Sequence, residues 1–289
     1  MKYSDITKLK HLAQDKKSRS ANPAIVRAST ILFKSMQEII RHEKLVKQDK
    51  KVDFYEYGRG GSQTTIALQN FIAELEGAHR VFLTPTGFAA VTLSIMSVCR
   101  PGDEIIVTDA CYHPTRMITS GLLKEFEVKT QFYNPDDFES LKEKITEKTK
   151  MIFVENPGSN TFEFQDLSKI IRLAKKNNII TAIDNTWGTP LFFKPLKLGF
   201  DISISSATKY FSGHADVMLG TVAVNKKIYS KVNFYNYHTG YRVSADDAYL
   251  VIRGLRTLDV RLERHQKNTK QIINFLRKEK KIKEVLYPY

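Results

Sequence analysis

Residues 179–225 read IITAIDNTWGTPLFFKPLKLGFDISISSATKYFSGHADVMLGTVAVN. Three runs in this stretch, IITAIDN (179–185), DISISSA (201–207) and LGTVAVN (219–225), are brief, rich in Val and Ile, and bounded by turn residues, which is how buried strands read. Upstream, DEIIVTD (103–109), EVKTQFY (127–133) and KMIFVEN (150–156) repeat the pattern. The segments between them have helical spacing. DFESLKEKITEK places Phe138, Leu141 and Ile145 on one face, and QDLSKIIRLAKKNN does the same with Leu167, Ile170, Ile171 and Ala174. Strand and helix in alternation predict an α/β fold, a mostly parallel sheet covered by helices on both sides. Ligands of such sheets sit beyond the carboxyl ends of the strands, so the residues just after each run are where chemistry is expected.

Those residues form a set. Asp184 is the first polar residue after TAI, and Lys209 follows the next run in SSATKY. Further upstream, TPTGFAAVTLSIM offers a small-residue turn that opens an apolar helix, an arrangement that presents free backbone N–H groups and a helix dipole to a phosphate. The turn has neither G-x-G-x-x-G nor a P-loop pattern, which counts against a dinucleotide or a nucleoside triphosphate. A lysine, a carboxylate and a phosphate-sized anion site on neighbouring strand ends point to pyridoxal phosphate (PLP). Its aldehyde condenses with a lysine amine and its pyridinium nitrogen pairs with an acid. Each feature has a plainer explanation when taken singly: a solvated lysine, an Asx turn at Asp184, an ordinary helix start at Thr86 and Gly87. Their order and spacing together are what is specific.

The composition agrees with a globular chain. It has 289 residues, 42% hydrophobic and 26% charged, with no Pro- or Gly-rich tract. The N-terminal MKYSDITKLKHLAQDKKSRS lacks the apolar core of a signal peptide, and no window has the length of a membrane span, so a cytoplasmic location is expected. Cys99 and Cys111 are the two cysteines, too few for a disulfide framework and not spaced as metal ligands, so reduced thiols and no metal site are expected. The excess of 45 basic over 31 acidic residues raises a nucleic-acid partner, but LKEKITEKTK and LRKEKKIKEV interleave the two signs as solvated helix faces do. No nucleic-acid partner is therefore expected. His113 and His214 have no Asp, Glu or Cys at metal spacing, and structural roles are expected for both.

From about residue 20 onward the chain resembles the Cys/Met-metabolism family of PLP-dependent enzymes of fold type I, and within it the cystathionine β-lyases. The resemblance rests on YGRGGSQTTIALQNFIAELEGA, TPTGFAAV, VENPGSNT, VIRGLRTLDVRL and the long stretch from AIDNTW through SSATKYFSGHADVMLGTV. It implies a sheet of the seven-stranded type. It also makes Lys209 the lysine that holds PLP, and Asp184 the partner of the ring nitrogen. Ser206 and Thr208, with the backbone amides of Gly87 and Phe88, would bind the phosphate. Tyr112 would stack on the ring and handle protons. Tyr57 and Arg59 would reach the phosphate in a neighbouring subunit, which implies a homodimer or homotetramer. Many members read ESPxNP where this chain reads ENPGSN, so Ser159 stands at the family asparagine; the PGS form supports the β-lyase member over the γ-type enzymes.

The implied reaction is β-elimination of L-cystathionine to homocysteine, pyruvate and ammonia, with Lys209 as general base at Cα and proton donor to the departing sulfur. Reprotonation of Cα from the opposite face would instead make a racemase, with alanine as a candidate substrate and Tyr112 as second acid. The same resemblance also admits a cystathionine γ-lyase or γ-synthase, or a remnant without catalytic activity. It divides the chain into an arm (1–60) that serves the neighbouring subunit, a PLP-binding domain (61–255) and the start of an incomplete C-terminal α+β domain (256–289), whose first helix runs from about 258 to 280. The family arginine that binds the substrate carboxylate would lie beyond that helix and has no counterpart here.

Overall fold

The structure, a computed structural model, describes residues 4–15, 19–50, 52 and 54–287; the outermost residues of the expected arm and of the C-terminal segment, 1–3 and 288–289, lie outside the described residues. Seven strands, β1 (Arg80–Thr84), β2 (Glu104–Thr108), β3 (Lys129–Tyr133), β4 (Thr149–Glu155), β5 (Ile180–Asp184), β6 (Ile202–Ser206) and β7 (Gly220–Val224), form one sheet in the order β1-β7-β6-β5-β4-β2-β3. The strands from β3 to β6 are parallel, whereas β7 runs antiparallel to both β6 and β1. The fold is thus the α/β type with the mostly parallel sheet that the alternation predicts. All six sequence runs contain strands. The seventh, β1, is the short RVFLT just before the TPTG turn.

Period-two alternation decides which side chains meet which layer. Ile105, Val107, Met151, Phe153 and Ile204 join the core on one face of the sheet. Ile106, Ile152, Val154 and Ile183 join the core on the other. Six helices matter for the site: α1 (Gln63–Glu76), α2 (Gly87–Met96), α3 (Leu167–Lys176), α4 (Lys226–Thr239), α5 (Ala245–Leu255) and α6 (Leu258–Leu276). α2 and α4 cover the first face through Ala90, Leu93, Ile95, Ile228 and Val232. α3 covers the second face with Leu167, Ile170, Ile171 and Ala174, all buried as their spacing predicts. Beside it, α1, α5 and α6 pack with Ala207 and Phe211 from the turn after β6.

Local chemistry starts and stops these helices. At α1, the Ser62 amide donates to Thr65 Oγ1 at 2.8 Å and the Thr65 amide to Ser62 Oγ at 3.4 Å, a reciprocal cap, and Gly77 ends the helix in the left-handed region at φ 69°. At α3, Asp166 Oδ1 accepts from the Lys169 amide at 3.0 Å. The segment 138–149 departs from expectation. Its helix is only Phe138–Glu143, because the Thr146 amide turns back to donate to Thr149 Oγ1 at 2.9 Å and starts β4. Leu141 is fully buried there, while Phe138 and Ile145 are partly buried. α6 matches the helix expected from about residue 258. Among the described residues, no helix is long and apolar enough to cross a membrane.

Candidate active site

Strands β4, β5 and β6, neighbours in the middle of the sheet, end at Glu155, Asp184 and Ser206, side by side at its carboxyl end. The register of the parallel pair puts Glu155 directly beside Asp184. Two carboxyls therefore stand at adjacent strand ends, and among the described residues neither has an ion-pair partner. Burial pushes the Glu155 carboxyl up to about 8; the neighbouring Asp184 charge adds to this, and a hydrogen bond from the Tyr112 amide opposes it. Burial also raises the Asp184 carboxyl above its ordinary value, against hydrogen bonds from Thr186. The Thr186 amide donates to Asp184 Oδ1 at 2.9 Å, and Thr186 Oγ1 accepts from the Ser206 amide at 2.8 Å. A line of contacts thus runs along the strand ends from one acid to Ser206.

The start of α2 meets this line. Thr86 Oγ1 caps the helix by accepting from the Ala89 amide at 2.9 Å, so the Gly87 and Phe88 amides in the first turn have no intrahelical acceptor. A Cβ on Gly87 would lie 2.7 Å from Ser206 Oγ, and any side chain there would fill the cradle between the helix end and the hydroxyl. Lys209 lies on the tight turn that follows β6. Ala207 and Phe211 are buried on either side of it, and the Lys209 amide donates to the Ser206 carbonyl at 3.0 Å. The main chain is fixed while the side chain stays exposed, and among the described residues its amine has no hydrogen bond or ion pair. This is why a lysine follows a buried strand: the strand and its two apolar anchors position the base of a side chain whose tip faces an open cavity. That cavity, about 880 Å³, is lined by Lys209 and Thr208 together with Glu155, Ser159, Trp187, Met218, Arg261 and His265. Thr208 is also part of the scaffold, since its Oγ1 accepts from the Leu219 amide at 3.0 Å.

Tyr112 joins the group through its backbone, donating its amide to Glu155 Oε2 at 2.7 Å, and its ring is half exposed. Within one chain Tyr57 and Arg59 do not join the others. They line a separate cavity of about 320 Å³, where the Arg59 guanidinium lies 4.6 Å over the Tyr237 ring. His214 Nδ1 pairs with the Ser212 carbonyl at 2.6 Å, within its own loop, and His113 opens the short helix His113–Met117. Cys99 and Cys111 are free and buried, and burial raises both thiols to about 12, so neither is a reactive thiolate. Sequence pattern alone does not single out Glu155, Trp187 or Arg261. Glu155 carries the same signal as Asp184, a polar residue closing an apolar run, and Trp187 closes the DNTW motif that Asp184 opens.

The donor set fits PLP. An uncompensated acid pair suits a cationic ring nitrogen, a helix start and a hydroxyl around a glycine cradle suit a phosphate, and a lysine amine without partner suits an aldehyde. Comparison with known proteins agrees. The family described as Cys/Met metabolism PLP-dependent enzyme matches residues 7–289. The chain is 36% identical to a cystathionine beta-lyase of Haemophilus influenzae over 99% of this chain and 72% of the relative. It is 34% identical to an L-alanine/L-glutamate racemase of Wolbachia pipientis over 93% of this chain and 68% of the relative. The solved cystathionine gamma synthase of Xanthomonas oryzae pv. oryzae, in complex with aminoacrylate and cysteine, superposes with a TM-score of 0.91 at 29% identity, covering all of this chain and 72% of the other. Sequence, sheet and site converge, and the chain belongs to the PLP-dependent enzymes of Cys/Met metabolism.

Proposed function

We propose that the chain is a carbon–sulfur lyase that carries out β-elimination on L-cystathionine, which with water yields homocysteine, pyruvate and ammonia. The observation that carries the chemistry is the Lys209 amine, without a hydrogen bond or ion pair among the described residues, lining the same cavity as Glu155, which stands beside Asp184 at the neighbouring strand end. The relative named cystathionine beta-lyase and the ENPGSN sequence at 155–160 support the choice of bond.

Bound PLP supplies an electron-accepting ring that makes the substrate Cα–H acidic. Asp184 keeps the ring nitrogen protonated by charge pairing, aided by Glu155 at its side. Ser206, Thr208 and the amides of Gly87 and Phe88 hold the phosphate. The Lys209 amine would remove the Cα proton and return a proton to the sulfur as the Cβ–sulfur bond breaks. Tyr112, tethered through its amide to Glu155, presents its ring to the cofactor and its hydroxyl to proton transfer. Tyr57 and Arg59 serve the phosphate in a second copy, so the working unit is a homodimer or a pair of them. In this division, 61–255 is the PLP-binding domain, 1–60 the arm given to the partner and 256–289 the first part of a C-terminal domain. The setting we propose is cytoplasmic.

The test is pyruvate release from L-cystathionine by PLP-loaded protein, with Lys209→Ala as control. The wild type is expected to form pyruvate, and the variant to lose about a thousandfold or more of the rate. Pyruvate formation that survives in Lys209→Ala would remove that lysine from its role. A second reading, racemisation, is favoured by the relative named L-alanine/L-glutamate racemase. It would appear as D-alanine from L-alanine without pyruvate from cystathionine. A γ-type reaction, favoured by the gamma synthase structure, would leave a four-carbon keto acid in place of pyruvate.

A further inference from the structure

The turn that carries Lys209 is fastened by a side chain that no step above uses. Arg261, in the first turns of α6, donates from Nη1 to the Tyr210 carbonyl at 2.7 Å, from Nη2 to the Gly254 carbonyl at 2.7 Å and from Nε to Thr257 Oγ1 at 3.1 Å. One guanidinium thus ties together the residue after Lys209, the end of α5 and the residue before α6. Two glycines make this possible. Gly213 has φ +74°, and a Cβ on it would lie 2.5 Å from Arg261 Cζ. A Cβ on Gly254 would lie 2.1 Å from the Ser212 carbonyl oxygen and 2.3 Å from that of Phe211. The backbone of α5 is therefore pressed against the backbone of the Lys209 turn, and the guanidinium spans the seam.

The contact is not an ion pair. Of the two acids equally near in sequence, Asp259 is paired with Lys10 at 2.9 Å, and among the described residues Arg261 forms no ion pair with Glu263; it directs its donors to two carbonyls and a hydroxyl. A planar fork with fixed donor directions can span three acceptors, which a lysine ammonium cannot do from one position. Arg261 also lines the cavity that Lys209 faces.

We propose that Arg261 is a positioning residue for Lys209: by gripping the Tyr210 carbonyl it fixes the stretch from 209 to 213, so that the amine stands where the aldehyde of PLP is received. The inference rests on the assignment of Lys209 as the PLP-holding lysine. Ser206 is held separately by Thr186, and Thr208 by the Leu219 amide, so loss of the grip leaves the phosphate and ring contacts in place but lets the lysine wander, and misplacement of a reacting group lowers its effective concentration.

The test uses the PLP-loaded full chain and two readouts. Quenching of Trp187, the single tryptophan and a wall of the cavity, reports total bound PLP. Borohydride reduction followed by peptide mapping reports the fraction fixed on Lys209. In Arg261→Gln and Arg261→Lys, total binding is expected to stay within about threefold of wild type while the fraction fixed on Lys209 falls about tenfold, with no rescue by lysine. Thr257→Val removes only the Nε acceptor and serves where the arginine variants do not fold; a fall of about threefold is expected there. Full fixation on Lys209 in the variants that fold would overturn the inference, and so would a loss of both readouts in equal measure. If the label in wild-type protein lies on another residue, it is the assignment of Lys209 that fails, and the premise with it.

Discussion

Asp184 and Glu155 share an energetic problem. A carboxylate at a half-buried strand end loses hydration, and a second one beside it adds repulsion, so the pair retains protons that exposed acids would have lost. Glu155 is pushed to about 8 and Asp184 is raised as well. A cation relieves both effects, which gives the pair a physical reason to bind a protonated ring nitrogen. Asp184→Asn keeps the shape and removes the charge. It should weaken PLP binding by about tenfold or more, since a shift of one pKa unit in a paired group corresponds to about that factor. Trp187 quenching measures it, and unchanged affinity would mean that the ring nitrogen has another partner. Asp184 and Lys209 are legible in the sequence because each is a polar residue that breaks in just where an apolar strand ends. Glu155 breaks one too, but its meaning comes from lying beside Asp184, and that needs β4 and β5 to be neighbours. Strand order is a long-range property that local pattern does not carry.

The elements behind the site carry a second strained acid. Glu76, the last residue of α1, is 1% exposed; its carboxyl accepts from Ser203 Oγ of β6 at 3.3 Å, and among the described residues Oε2 has no hydrogen-bond partner. Burial raises it to about 7, although the Ser203 hydrogen bond and the Lys194 charge pull it down. Because the folded-state value lies above the unfolded one, the native state binds the extra proton, and stability falls as pH rises from the ordinary carboxylate range through 7. Glu76→Gln removes that dependence. Its stability relative to wild type should improve by about 2 kcal/mol between pH 5.5 and pH 8, measured by urea unfolding. A difference that is flat with pH would show that Glu76 keeps an ordinary value. Element by element, α3 is legible because its apolar stripe is complete, with all four spaced residues in the core. The short helix after residue 137 is shorter than its spacing predicts because the pattern continues to Ile145 while a threonine turn ends the helix first. β1 is hard to read because four of its five residues are buried, which leaves no alternation, and its partner β7 is distant in sequence.

At the scale of the molecule, the residues that no single chain unites are Tyr57 and Arg59. They line a cavity they share with Arg242 and Tyr237, away from Lys209. Burial lowers the Arg242 guanidinium below its ordinary value and the Arg59 charge lowers it further, so the cavity holds two cations that disfavour each other. An anion brought from outside would settle them, and in the proposed dimer a second copy would offer one in its phosphate site. Only the resemblance suggests this proposal from the sequence, because a site that two copies would close leaves no pattern within one. Complementation tests it directly. In a dimer that pairs Lys209→Ala with Arg59→Ala, one site combines both defects and the other combines an intact Lys209 with an intact Arg59 from its partner. Mixing the two nearly inactive variants and allowing the subunits to exchange should therefore restore about one quarter of wild-type lyase activity, since half of the dimers are mixed and half of their sites are whole. If Arg59 instead served its own chain, every site in the mixture would keep a defect and mixing would restore nothing.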